Sequence, residues 1–118
     1  MHTVLIVDDS KTSRSVLRNI LVEHGYEVVA EAENGQEGYD KYCDLHPDFV
    51  TLDITMPVMD GIQTLVKIKE YDPAAKVIMV TAAGQKSKML EAIKMGAAEF
   101  VTKPFETNQI ISIIESIK

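Results

Sequence analysis

Two hydrophobic periods alternate along this chain of 118 residues. Short unbroken apolar runs rich in β-branched residues predict strands covered on both faces, and apolar positions three and four apart predict amphipathic helices. Thr3-Val4-Leu5-Ile6-Val7 is the first such run. After it, Val16, Leu17, Ile20 and Leu21 make one side of a helix, with Arg14, Arg18 and Glu23 on the other and Gly25 as its stop. Val28-Val29-Ala30 reads as a second, weaker strand, and Asn34-Gly35-Gln36-Glu37 has the form of a capping box opening a helix through Tyr39, Tyr42 and Cys43. Phe49-Val50-Thr51-Leu52-Asp53 is a third strand, followed by a loop with Pro57 and Asp60-Gly61 that serves the turn and the start of the next helix. That helix carries Ile62, Leu65 and Val66 and closes near Asp72-Pro73. Val77–Thr81 gives a fourth strand, a helix follows and ends at Gly96, and Glu99–Thr102 gives a fifth strand. Thr107 then caps a last helix bearing Ile110, Ile111, Ile114 and Ile117.

Five successive strand–helix pairs predict an α/β fold, a doubly wound five-stranded parallel sheet with helices on both faces. Right-handed crossovers put the carboxyl end of every strand on one edge, and ligands of open α/β sheets bind there. Asp8, Asp9, Asp53, Thr81 and Lys103, which end or follow four of the strands, are thereby expected to converge. Periodicity does not give the strand order.

Composition narrows the function classes. With 46% hydrophobic residues the chain can bury a core, and one domain is expected over residues 1–118, with no effector domain. A formal charge of −6 argues against nucleic-acid binding. Cys43 is the sole cysteine, so no internal disulfide is expected. No apolar stretch reaches membrane-spanning length, and the first strand begins too close to Met1 for a signal peptide. A cytoplasmic protein without membrane insertion is the expectation.

The converging residues have ordinary and chemical readings. Two carboxylates about 4 Å apart repel by roughly 4 kcal/mol at an effective dielectric near 20, so an acidic cluster needs a proton, a cation or wide spacing. A hard cation with oxygen ligands suits it, and so does simple capping of the next helix by Asp8 and Asp9. Asp53 closes an apolar strand with largely apolar flanks, and a carboxylate so placed can attack phosphorus. Phosphoryl transfer needs chiefly positioning and charge neutralisation, which a cation and the Lys103 amine would supply. Pro104 restricts the backbone of Lys103 and gives its turn a fixed shape. The Thr81 hydroxyl could bond a phosphoryl oxygen.

The combined set Val7-Asp8-Asp9, Asp53-Ile54-Thr55-Met56-Pro57 with Asp60-Gly61, Thr81-Ala82 and Lys103-Pro104-Phe105 resembles the receiver domain of two-component response regulators, over the whole chain. The resemblance implies a flavodoxin-like (βα)5 fold with strand order 2-1-3-4-5. It implies that Asp53 accepts a phosphoryl group from a histidine kinase. One Mg2+ per chain, with Mn2+ as the alternative, would be held directly by Asp9, Asp53 and the backbone carbonyl of Thr55, and by Asp8 through water. Lys103 would pair with the phosphoryl group, Thr81 would bond it after activation, and Lys103-Pro104 would be a cis peptide. Phe100 stands at the aromatic switch position of the family, without the hydroxyl that a tyrosine would carry. Ala83 and Thr55 occupy positions that tune access of the hydrolytic water.

The family signals through the face of helix four, strand five and helix five. Met89, Leu90, Ala92, Ile93 and Met95 form an apolar arc wider than a core stripe requires, and Ile113 falls off its helix's apolar face. Met89, Ile93, Phe100, Thr102 and Ile113 are the expected partner face. The implied protein is a monomeric switch that catalyses only its own phosphorylation and dephosphorylation. Its expected partners are a histidine kinase and a downstream target, with a phosphatase as an optional third, in chemotaxis or a related pathway. A phosphorelay intermediate and a metal-dependent phosphatase on the same architecture are the alternatives. No GxxxxGK[ST] loop is present, and Asp8-Asp9-Ser10 stands where a nucleotide binder would have glycines.

Overall fold

The central strands of the sheet are the unbroken apolar runs, and the edge strands are the ones whose pattern is diluted by glutamate. The computed structural model describes residues 2–117. Its elements alternate as β1 (Thr3–Val7), α1 (Lys11–Glu23), β2 (Glu27–Ala32), α2 (Gly35–Leu45), β3 (Phe49–Asp53), α3 (Gly61–Tyr71), β4 (Val77–Thr81), α4 (Lys86–Lys94), β5 (Glu99–Thr102) and α5 (Thr107–Ile117). The strands lie in the order β2-β1-β3-β4-β5, and every neighbouring pair is parallel. This is the flavodoxin-like (βα)5 arrangement. β3 and β4 are buried along their whole length, as strands covered on both faces must be. β2 is three residues longer than Val28–Ala30, one before and two after, because on this edge Glu27 is exposed to solvent and Glu31 is paired with Arg14 and Arg18.

Period-two alternation divides the core between two layers. Leu5, Val7, Val50, Leu52, Val77 and Met79 face α2, α3 and α4, where Tyr42, Leu65, Ile68 and Ala92 meet them. Val4, Ile6, Phe49, Ile78, Val80 and Val101 face the other way, onto Leu17 and Leu21 of α1 and Ile110 and Ile114 of α5. The strand order reverses at β1. The chain goes out to β2 and returns across β1 to β3, so the loops after β1 and β3 part to opposite faces and leave a crevice at the carboxyl rim.

Helix boundaries follow their caps, with three departures from the sequence reading. Asp60 and Gln63 form a reciprocal capping box at α3, and Gly25, in the left-handed region at φ 86°, follows α1 as expected. Asn34 accepts the Glu37 N–H at 2.9 Å, but the Glu37 carboxylate pairs with Lys41 at 3.0 Å, one turn on, so only half of the expected box forms. Thr107 is the first helical residue of α5 rather than its cap. In α1 the stripe Arg14, Leu17 and Leu21 faces inward while Val16 is exposed, so Arg14 lies on the buried side and not the solvent side. Its guanidinium is satisfied there by the Asp8 carbonyl at 2.7 Å and Glu31 at 3.1 Å, with Glu33 at 3.7 Å. A cation so paired can be buried. Among the described residues, no helix is long and apolar enough to cross a membrane.

One polar atom in the core has no hydrogen-bond partner. The Thr51 hydroxyl is enclosed in mid-strand between Ile6 of β1 and Ile78 of β4. Thr51→Val keeps the shape and removes the unmet group. It should raise the free energy of unfolding by about 1 kcal/mol with an unchanged denaturant slope, as urea titration of the two proteins will read out.

Candidate functional site

The rim of the sheet brings the expected chemistry together because each functional side chain sits where a buried strand runs out. Asp8 extends β1 by donating its N–H to the Ala32 carbonyl at 3.0 Å, and it is buried. One of its carboxylate oxygens accepts the Ser10 N–H at 2.8 Å. Ser10, not Asp8 or Asp9, is the N-cap of α1, accepting the Ser13 N–H at 3.2 Å, so the capping explanation for the acidic pair does not hold. Asp9 is exposed at the mouth of the crevice. Asp53 is the last residue of β3 and is buried. Carboxylate oxygens from Asp8, Asp9 and Asp53 all lie within 4.8 Å of one another. Three such oxygens on a partly open rim are a fit donor set for one hard divalent cation such as Mg2+, which takes one or two carboxylates and completes its shell with other oxygens.

Lys103 closes the cluster from β5. Its N–H donates to the Thr81 carbonyl at 2.8 Å, and the Lys103–Pro104 peptide is cis, as the family resemblance implied. The ammonium lies 2.9 Å from Asp8 and 3.2 Å from Asp53, so a single cation serves both buried carboxylates.

The side chains of the remaining predicted residues stand around this centre without a hydrogen bond to its carboxylates or ammonium. Thr81 is buried at the end of β4, and its hydroxyl donates to the Val101 carbonyl across the sheet at 3.4 Å, a long bond. Thr55 is exposed two residues beyond Asp53. Phe100 is half-buried against the core layer under α4 and borders a cavity of about 260 Å³ that Thr81, Ala82 and Met89 also line. On the expected partner face Ile93 and Thr102 are exposed, Met89 is half-buried, and Ile113 packs partly against the core layer under α5. Two residues the sequence reading passed over also touch the rim. Arg14 braces the Asp8 carbonyl, and Gln85 joins the loops after β3 and β4. Glu31 at the end of β2 and Glu33 just past it could have pointed to Arg14; nothing in the local pattern marks Gln85.

Comparison with known proteins agrees with this geometry. The family model of the response regulator receiver domain matches residues 4–115. Chemotaxis protein CheY of Bacillus subtilis is 49% identical over 113 residues, covering 96% of this chain and 94% of its own length. Chemotaxis protein CheY of Thermotoga maritima is 46% identical over 114 residues, covering 97% and 95%. Among solved structures, a chain of the CheX–CheY–BeF3–Mg2+ complex from Borrelia burgdorferi superposes with a TM-score of 0.94 at 37% identity, covering 98% of this chain and 88% of that one.

Electrostatics set the resting state of the rim. Burial, and after it the charge of Asp8, push the Asp53 carboxyl up from 3.8 to about 6, against the pull of Lys103. For Lys103 burial works downward, yet the hydrogen bond to Asp8 and the two negative charges outweigh it and raise the ammonium's pKa. A carboxyl with a raised folded-state pKa binds its proton more tightly in the folded chain. Its ionisation therefore destabilises the fold progressively as pH rises from about 4 to about 6, and the full penalty persists above. A rise of that size corresponds to roughly 3 kcal/mol. In the absence of divalent cations Asp53→Asn should thus be more stable than the native chain above pH 6, by on the order of 2–3 kcal/mol, with the gap closing toward pH 4. Adding Mg2+ should narrow the gap by stabilising only the native chain appreciably. Urea unfolding across this pH range, with chelator and with Mg2+, measures both effects.

Proposed function

The chain belongs to the response regulator receiver family, and we propose that Asp53 is its phosphoacceptor, loaded by a histidine kinase and read out by a downstream protein at the α4–β5–α5 face. A receiver carries its aspartate cluster for phosphorylation and acts on no separate substrate, so its only turnover is its own. The observation that carries the assignment to Asp53 is the shared ammonium. Lys103 lies within 3.2 Å of Asp53 and 2.9 Å of Asp8, while Asp9 stands across the same small space. Similarity over nearly their whole length to relatives named for chemotaxis supports a role in that kind of pathway.

In the proposed transfer an Asp53 carboxylate oxygen attacks the phosphorus of a phosphohistidine. The new O–P bond forms as the P–N bond breaks, and the departing electron pair goes to the imidazole nitrogen. Asp9, Asp53 and the Thr55 carbonyl would hold Mg2+ directly, with Asp8 behind a water, and the bound ion supplies positive charge against the phosphoryl oxygens. Lys103 is already at hand and moves from carboxylate to phosphoryl oxygen. Thr81 gives up only its long bond to Val101, so its hydroxyl turns toward the new acceptor at small cost. That movement opens onto the cavity beside Phe100, whose ring follows by packing. Water attack at phosphorus later breaks the O–P bond, releases inorganic phosphate and restores the Asp53 carboxylate.

The output face has a physical basis in α4. Ala92 is the buried residue of that helix, so Leu90, Ile93 and Met95, each more than 40% exposed, exceed what the core uses.

Incubation with Mg2+ and acetyl phosphate should add the mass of one phosphoryl group to the native chain and none to Asp53→Asn. A native chain that stays unmodified under every donor tried would end the proposal. Sustained phosphate release from small phosphoesters is not expected. Changing Met89 and Ile93 together to Ser should weaken binding of the downstream target by about tenfold or more while leaving the mass gain intact. Loss of both readouts would mean unfolding rather than a lost contact.

A further inference from the structure

One side chain ties together the two loops that border Asp53. Gln85 occupies the N-cap position of α4, and its carbonyl accepts the Met89 N–H, yet its side chain makes no capping bond to that helix, where a cap side chain ordinarily satisfies an exposed N–H. Its carboxamide reaches back instead. Oε1 accepts the Ala82 N–H at 2.6 Å, and Nε2 donates to the Thr55 hydroxyl at 2.6 Å.

The direction of the Ala82 N–H follows from the ladder. Backbone groups of successive residues in a strand face opposite neighbours. The Val80 carbonyl accepts from Ile54, toward β3, and the Thr81 carbonyl accepts from Lys103, toward β5. Ala82 therefore turns back toward β3, on the side of Asp53, two residues past the Asp53–Val80 pair. At that point the strands have ended, and the Gln85 carboxamide stands in for the missing ladder.

We infer that Gln85 is a positioning residue for phosphoryl uptake: it holds the loops after β3 and β4 in the unphosphorylated arrangement and must yield the Ala82 N–H to a phosphoryl group on Asp53. This rests on the reading of Asp53 as phosphoacceptor. A phosphoryl group brings three strong acceptor oxygens to the rim, and a charged acceptor outcompetes a neutral amide for the same donor. The released carboxamide is then free to cap the N–H groups that α4 leaves unsatisfied. Occupancy at Asp53 is thereby passed to the first turn of the helix that carries Leu90 and Ile93, along the wall of the cavity that Thr81 and Phe100 also line.

The test uses beryllofluoride as the phosphoryl probe, titrated at saturating Mg2+ into the native chain, Gln85→Ala and Gln85→Glu, with Mg2+ affinity measured separately. Gln85→Ala removes the competitor for the Ala82 N–H, so beryllofluoride should bind about fivefold more tightly, the equivalent of one neutral hydrogen bond. Gln85→Glu keeps an acceptor for Ala82, makes it charged and places a negative group beside the probe, so binding should be weaker than in the native chain. Mg2+ affinity of Gln85→Ala should stay native, and its Ala82 amide resonance should shift in the free protein toward a position unlike the native one. Gln85→Ala binding beryllofluoride no more tightly than the native chain would overturn the role of Gln85 while leaving Asp53 untouched. Shifts of both variants in one direction, for probe and Mg2+ alike, would show a merely structural tie and overturn it as well. Failure of the native chain to bind the probe at all, with Mg2+ bound, would bring down the Asp53 assignment and this inference together.

Discussion

Like charge held at close range is the constraint on which this structure turns. A parallel sheet wound on both faces delivers every strand end to one rim, and here two of those ends are buried carboxylates. At such separations their repulsion amounts to roughly 4 kcal/mol if nothing intervenes. Lys103 intervenes, bonding Asp8 and Asp53 at once, and the carboxyl of Asp53 is still pushed up to about 6. The rim is thus a place of incomplete neutralisation. It favours whatever supplies positive charge or trades a carboxylate for a group that can share its charge among more partners.

The scaffold around that centre is built to keep it there. Arg14, paired on β2 and bonded to the Asp8 carbonyl, fixes the turn out of β1. Ser10 takes over the capping of α1, which leaves the acidic pair free of that duty. Gly61 fits where a Cβ would strike the backbone of Asp53 and Ile54, so α3 can start close against the strand end. These supports sit beside the ends of β1 and β3, whereas the groups on the β4 side are held by bonds that can be exchanged. The Thr81 bond to Val101 is long, and the Gln85 carboxamide links two exposed loops.

That contrast suits a two-state device. A ligand shifts an equilibrium only as far as it interacts differently with the two states. The groups positioned to do so lie on the β4 and β5 side, next to α4, while the acids and their supports are set on β1 and β3. In the proposed switch, charge arriving on one side would be converted to repacking on the other, beside the exposed Leu90 and Ile93 of α4.

Much of this was legible in the chain itself. Unbroken β-branched runs marked β1, β3 and β4, since strands buried on both faces admit little else, and the handedness of crossovers then placed Asp8, Asp9, Asp53, Thr81 and Lys103 on one edge. The strand order came from family resemblance, because pairing in space leaves no trace in local period. The length of β2 and the inward face of Arg14 were misread for one physical reason: a charged side chain on an edge or in an ion pair satisfies itself through neighbours distant in sequence. The half-formed box at Asn34, where Glu37 chose Lys41, shows the same competition on a smaller scale. Gln85 carries no sequence signal at all. Its two partners belong to different loops, and only the packed sheet brings Thr55 and Ala82 within reach of one carboxamide.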